Sequence, residues 1–208
     1  GDFIELEYVA RTKEDNKVFD LTNEDNAKEF NLYNDKRDYS PIKICLGYND
    51  IIHGLDEALT DKELGKYNIE IKAENAFGKK DHNLIKLVPN SVFIKQNVKP
   101  VHGLMVNIDG FIGIIKSTGS GRVLVDFNHP LAGRDLIYEV EIKRIINDVK
   151  EKLESFLNLV SKDIKFKLEE NKVIIDADKK IQDYIKEEIK KRIKEIKEIE
   201  FEKTTTGE

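Results

Sequence analysis

The sequence predicts an α+β fold: an antiparallel half-barrel wrapped on one short helix, a small all-β domain inserted into it, and a C-terminal α+β domain of order α-β-β-α-β. Three observations predict it. Alternating apolar strands lie on both sides of an interruption at residues 79–128. The interruption has its own texture, with Pro89, Pro100 and several Gly between short β-like runs. Past Asn147 the apolar pattern switches to helical spacing.

Ile4, Leu6 and Tyr8 alternate with Phe3, Glu5, Glu7 and Val9, which predicts a half-buried strand over 3–9. The polar run 12–17 is a hairpin turn, and Val18-Phe19-Asp20 begin the return. Residues 22–40 are polar and irregular and predict a long surface loop ending at Pro41. A strand over 42–46 and a turn over 47–50 follow. Next, Leu55, Ala58 and Leu59 fall at i, i+3, i+4, a short helix with Asp56 and Glu57 near its N-terminus, where the dipole favours anions. Tyr67, Ile69 and Ile71 alternate toward Ala76-Phe77-Gly78. Much later Leu136, Tyr138, Val140 and Ile142 alternate with Ile137, Glu139, Glu141 and Lys143. That strand needs a sheet, and only the N-terminal strands supply one. Residues 1–78 and 129–146 therefore read as one discontinuous domain.

Inside the interruption, Val88-Pro89-Asn90-Ser91-Val92-Phe93 precede β-like runs over 104–108, 111–115 and 122–127. Asp109-Gly110 is a hairpin signal, and 117–121 link the next pair. The C-terminal domain is read as 147–208: from Ile145, just before it, Val149, Leu153, Phe156, Leu157 and Val160 keep helical spacing. Ile164, Phe166 and Leu168 alternate, Val173-Ile174-Ile175 return, and Ile181, Ile185, Ile189, Ile193 and Ile196 form one helical stripe. Ile199 and Phe201 end the pattern as a strand. A segment of this size is marginal alone. Its apolar stripe and sheet edge favour self-association as a homodimer.

Composition narrows the function classes. Charged residues make up 36% of the 208, against ~25% in ordinary soluble proteins. The excess of Lys and Glu suggests a heat-tolerant protein. A net charge of −5 argues against a nucleic-acid partner. The lysine-rich run 179–197 is interleaved with acids, and Glu187–Lys191 and Glu188–Arg192 fall at i, i+4, so it reads as a solvated helix face. Cys45 is alone, so no intrachain disulfide is expected, and its apolar surroundings make it a core residue rather than a nucleophile. That usage fits a reducing cytosol, and a cytoplasmic location is expected. No stretch approaches the ~20 apolar residues of a membrane span, and no signal-peptide pattern is visible, so no membrane partner is expected. His53, His82, His102 and His129 are not at ligand spacing, and no metal or cofactor is expected. Ser117 to Gly121 lacks the lysine and helix of a phosphate loop and reads as a turn.

One set of short motifs remains. Before the interruption stand Tyr8, Val18-Phe19-Asp20, Ile51-Ile52-His53-Gly54-Leu55 and Ala76-Phe77-Gly78. After it stand Asn128-His129-Pro130-Leu131-Ala132-Gly133 and Leu136-Ile137-Tyr138-Glu139-Val140. Core packing alone would explain any one of them singly. In this order and spacing they resemble the FKBP-type peptidyl-prolyl cis-trans isomerases. The break just after Ala-Phe-Gly is similar to the SlyD-type group and the long archaeal form, which carry an insert-in-flap chaperone domain there.

The resemblance implies a pocket for an X-Pro bond. Tyr8 and Phe19 line it, Asp20 sits at its rim, Ile51 and Ile52 supply a wall and backbone donors, Leu55 forms the floor, Phe77 sits in the flap and Tyr138 closes the far side. It further implies unfolded or proline-containing polypeptides as partners, held on the insert. The apolar candidates for that contact are Val92, Phe93, Ile94, Val101, Met105 and Phe111. Two positions depart from the wider pattern: Leu55 stands where Trp is common, and Phe77 where Tyr is usual. The lost hydroxyl is worth about 0.5–1.5 kcal/mol, which implies weaker macrolide binding. The His/Cys-rich metal-binding tail of bacterial SlyD proteins has no counterpart in the sequence of this chain. A binding module that holds prolyl segments without catalysis is the alternative reading.

Overall fold

The computed structural model describes residues 1–202. The terminal 203–208, where no metal-binding tail is expected, lie outside the described residues. The chain runs β1 (Phe3–Thr12), β2 (Val18–Leu21), α1 (Glu24–Glu29), β3 (Ile42–Cys45), α2 (His53–Leu59) and β4 (Gly65–Ile71). Next come β5 (Ile85–Pro89), α3 (Asn90–Lys95), β6 (Met105–Ile108), β7 (Phe111–Gly119) and β8 (Arg122–Asp126). It ends with β9 (Leu136–Ile146), α4 (Val149–Val160), β10 (Lys165–Glu169), β11 (Lys172–Asp176), α5 (Lys179–Arg192) and β12 (Glu198–Glu202). These elements form two compact units, one of Gly1–Ile71 with the chain from Ile137 onward, the other of Lys72–Leu136.

In the first unit the alternation read from the sequence becomes a five-stranded sheet, in the order β2-β1-β9-β4, with β3 also on β1. Leu136, Tyr138, Val140 and Ile142 of β9 are buried, while Glu139 and Lys143 face out. Cross-strand ion pairs Arg144–Glu5, Lys143–Glu7 and Arg11–Glu139 line the polar side, at 2.6, 3.0 and 3.1 Å. Each adds little, since charges at a surface are screened. Antiparallel β1 and β2 pair Ala10 with Asp20 and Arg11 with Val18, so Phe19 is the extra residue of a bulge. A bulge twists the strand and re-aims its side chains.

The segment 22–40, expected as a loop, contains α1. Asn23 caps it by accepting hydrogen bonds from the Asp25 and Asn26 N–H groups at 3.0 and 3.2 Å. Ala27 is fully buried and joins Val9, Val18 and Leu21 in a small core, with Phe30 and Tyr39 packed against it. The polar composition concealed the helix because only one of its six residues turns inward. In α2, Asp56 is buried rather than displayed to the dipole. Its carboxylate accepts from the Gly47 and Asn49 N–H groups at 2.9 and 2.8 Å.

The C-terminal elements follow the expected order. β10 and β11 pair antiparallel, and β11 and β12 pair parallel across the α5 connection. Leu153, Phe156, Leu157, Val173, Ile175, Ile185, Ile189 and Ile193 form the core, but Phe3 of β1 and Cys45 of β3 belong to it too. A segment too small to bury enough surface alone completes its core on the sheet it follows. Burial pushes the Cys45 thiol up to about 11, which leaves it protonated and inert at neutral pH.

The second unit carries a four-stranded antiparallel sheet of order β5-β8-β7-β6. Asp109 and Gly110 both take positive φ (52° and 87°) at the β6–β7 turn, as a two-residue hairpin requires. The expected 117–121 link is shorter than read: β7 continues to Gly119, which pairs with Arg122. The expected all-β insert also carries α3, whose Phe93 sits in a core with Val88, Val106, Ile108, Ile115, Val123 and Val125. Among the described residues no helix is long and apolar enough to cross a membrane.

Candidate active site

Three rings meet in the first unit. Tyr8 of β1 lies 5.5 Å from Tyr138 of β9, centroid to centroid, and Phe19 of β2 meets Tyr138 edge-on at 6.3 Å. The bulge at Phe19 aims that ring inward from a strand edge. Asp20, the next residue, is the polar hub. Its Oδ2 accepts from the Tyr8 hydroxyl at 2.6 Å, and its Oδ1 accepts from Arg37 Nη2 at 2.7 Å and from the Leu21 N–H at 2.9 Å. Arg37 also donates to the Leu21 carbonyl at 2.6 Å and lies over the Tyr39 ring, which stacks on Tyr33. Burial raises the Tyr8 phenol well above its ordinary value, and the hydrogen bond and charge of Asp20 add to the shift. Burial and Asp20 do the same to Tyr138. Both phenols therefore stay protonated at any physiological pH.

Ile51 and Ile52 are half-buried in the turn that enters α2, and the Ile52 carbonyl accepts the first helical N–H groups, from Leu55 at 2.9 Å and Asp56 at 3.1 Å. Leu55 is fully buried in the first turn of α2. A separate open groove of about 440 Å³ runs beside Tyr8, lined by Val9, Asn23, Asn26, Lys66, Tyr67 and Glu139 among others. It contains none of Phe19, Asp20 or Tyr138. Its carboxylates are already paired with Arg11, Lys66 and Lys143, so it is a surface cleft with no unanswered charge.

The second unit holds Phe77. Its ring lies flat on His129, 4.4 Å between centroids and 5° between planes. The backbone brings these distant motifs together: Gly78 N–H donates to Ala73 O, and Gly133 N–H donates to Gly78 O, each at 2.8 Å. Asn128 then ties the two ends of the inserted sheet. Its Oδ1 accepts from the Asp81 N–H at 2.8 Å, and its Nδ2 donates to the Asp81 carbonyl at 2.9 Å and to Asp126 Oδ1 at 2.8 Å. Lys80 pairs with buried Asp126 at 3.1 Å. The sequence marked Asn128 and His129 only as members of a motif; their clamping and platform roles depend on contacts the spacing does not reveal.

Residues 86–131 match the protein family described as FKBP26, IF domain. The chain is 30% identical over 146 residues to the short-type peptidyl-prolyl cis-trans isomerase of Methanocaldococcus jannaschii, covering 70% of this chain and 92% of that protein. The chain belongs to the FKBP-type peptidyl-prolyl cis-trans isomerase family. It is also similar to the FKBP-type isomerase SlyD of Pasteurella multocida (35% identity, 49% of this chain and 53% of that one) and of Escherichia coli (32%, 55% and 60%). It thus spans a little over half the length of those SlyD relatives.

Within this FKBP-type chain the IF domain presents an apolar outer face. In the antiparallel register Met105 opposes Ile114, and Leu87 opposes Leu124. Ile112, Ile114 and Leu124 therefore lie on the side of the sheet away from the core, together with Met105 and Leu87. Of the residues marked from the sequence, Ile94, Met105 and Phe111 are 67%, 60% and 69% exposed, and Val101 is exposed as well. Val92 is half-buried against the core. Phe93 is corrected: at 0% exposure it is core, because α3 turns it toward the sheet and Ile94 outward. Ile112, 62% exposed, and Leu87 were missed. An apolar run on both faces of β7 was the available signal, since a single-faced strand would alternate.

Proposed function

We propose that this FKBP-type chain catalyses rotation about X-Pro bonds in unfolded or partly folded polypeptides, and that its IF domain holds those polypeptides for the pocket. The observation that carries the reading is the ring cluster of Tyr8, Phe19 and Tyr138 around a carboxylate with both oxygens occupied. Rotation about a peptide bond is slow because resonance must be broken, with a barrier of about 18–20 kcal/mol. The planar amide is strongly dipolar and its twisted transition state less so. A water-poor, ring-lined site therefore disfavours the ground state relative to the transition state. No proton needs to move, which suits a carboxylate already committed to Tyr8, Arg37 and a backbone N–H.

In this reading Tyr8, Phe19 and Tyr138 are walls, Leu55 is the floor, and Ile51 and Ile52 supply a wall and backbone donors. Asp20 fixes the Tyr8 hydroxyl at the rim and Phe77 belongs to the flap. The exposed apolar face of the IF domain supports the holding role, because a face of that kind on a soluble module is a binding surface. Its gain comes from raising the local concentration of client at the pocket. Pairing of two copies through the C-terminal segment is part of the proposal, supported by the outer strands β10 and β12 of its sheet. Light scattering tests it.

The activity is tested on a short prolyl peptide. Phe19→Ala and Asp20→Ala abolish catalysed isomerisation while far-ultraviolet circular dichroism stays unchanged. Full activity in both variants removes the pocket from the account.

A further inference from the structure

The turn that carries Ile51 and Ile52 is held, at Asp50, by a residue 142 positions away in the sequence, in the C-terminal helix. Gly47 and Asn49 both take positive φ (83° and 56°), so the stretch between β3 and α2 follows no regular path and needs outside fixings. It has three. Asp56 of α2 accepts from two of its N–H groups. Asp50 accepts the Cys45 N–H at 2.9 Å and so folds the turn back on β3. The third comes from α5: Arg192 Nη1 lies 2.6 and 2.8 Å from the two Asp50 oxygens, with both side chains under a tenth exposed, at 4% and 7%.

Arg192 is itself locked. Glu188 accepts from its Nε at 3.0 Å. The guanidinium lies over the rings of both Tyr48 and Phe156, at 4.5 and 4.9 Å from their centroids. The Tyr48 hydroxyl donates to the Lys191 carbonyl at 2.7 Å, so turn and helix grip each other twice. From the sequence, Arg192 read as a solvated i, i+4 partner of Glu188; the structure buries it. A buried ion pair contributes little net stability compared with apolar packing. What this one adds is geometry: the planar guanidinium fixes Nη1 on both Asp50 oxygens while Nε and Nη2 lie on Glu188, a pair of directions that a lysine would not reproduce.

We propose that Arg192 is a positioning residue of the isomerase site, through which the C-terminal segment sets the turn carrying Ile51 and Ile52. The inference rests on the function proposed above for those two residues. A displaced wall weakens peptide binding without changing the chemistry of rotation.

The test uses the full chain with Arg192→Met, Arg192→Lys and Asp50→Asn, beside Ile185→Val, which thins the same core and leaves Asp50 and Arg192 in place. Arg192→Met and Asp50→Asn raise KM for a prolyl peptide about tenfold with kcat within about twofold. They also shift the backbone amide resonances of Ile51 and Ile52. Arg192→Lys gives an intermediate KM and carries the test if Arg192→Met does not fold. Ile185→Val lowers Tm but leaves KM and those resonances alone. Unchanged KM and resonances in the Arg192 variants overturn the proposal. So does an equal rise in KM from Ile185→Val at matched Tm loss. Absence of isomerisation in the unaltered chain is a failure of the function itself, and the Ile51 and Ile52 resonances then decide the positioning role alone.

Discussion

At the scale of single residues, Asp20 organises the site. It takes the Tyr8 hydroxyl and Arg37 on separate oxygens, which in the function proposed above makes it a holder of the Tyr8 ring rather than a proton acceptor. Burial and Asp20 hold the Tyr8 and Tyr138 phenols above their ordinary value. A raised folded value means that their contribution to stability is complete below the unfolded value of about 10 and is lost only as pH climbs past it. The kcat/KM profile should therefore be flat from about pH 7 to about pH 10. A phenol-like ionisation inside that range would contradict the arrangement. Tyr8 and Tyr138 were legible because each sits in an alternating strand, and Phe19, the extra residue of a bulge, only as part of the Val18-Phe19-Asp20 motif. Arg37 was not, because nothing in a polar stretch announces which cation returns to a carboxylate seventeen positions earlier. Phe93 misled for a related reason: hydrophobicity alone does not say which way a short helix turns a side chain.

Among the elements, the insert is where the proposed function divides labour most clearly. Its ends are drawn together by Asn128 and Asp81, so a short linker can replace residues 80–127. That deletion should leave peptide isomerisation close to its full value and sharply reduce activity on an unfolded protein. Equal loss on both substrates would show that the two roles are not separable. Three of the four strands of the insert, and the hairpin at Asp109-Gly110, could be read from local pattern, because turn chemistry is local; β5 was missed, since its Pro89 argued against a strand. The helices α1 and α3 could not: each is six residues long and buries one, too little to leave a periodic trace.

For the whole molecule, the order of the C-terminal elements was visible in the sequence, but its dependence on the first sheet was not. Phe3 and Cys45 lie far from that segment in the chain and close to it in space, and no periodicity encodes a long-range contact. A shared core predicts shared melting. Ile189→Ala should cost about 2–5 kcal/mol and lower the unfolding midpoint of β1 and β3 together with that of α5, as followed by hydrogen exchange. Loss of protection confined to the C-terminal elements would show two independent cores. The central claim is catalysis of prolyl rotation in unfolded chains, and the most direct measurement of it is refolding of a protein whose slow phase is set by proline isomerisation. The account predicts that this phase accelerates at concentrations of the chain well below those of its substrate. A slow phase that keeps its rate, or lengthens as the chain is added, would contradict it.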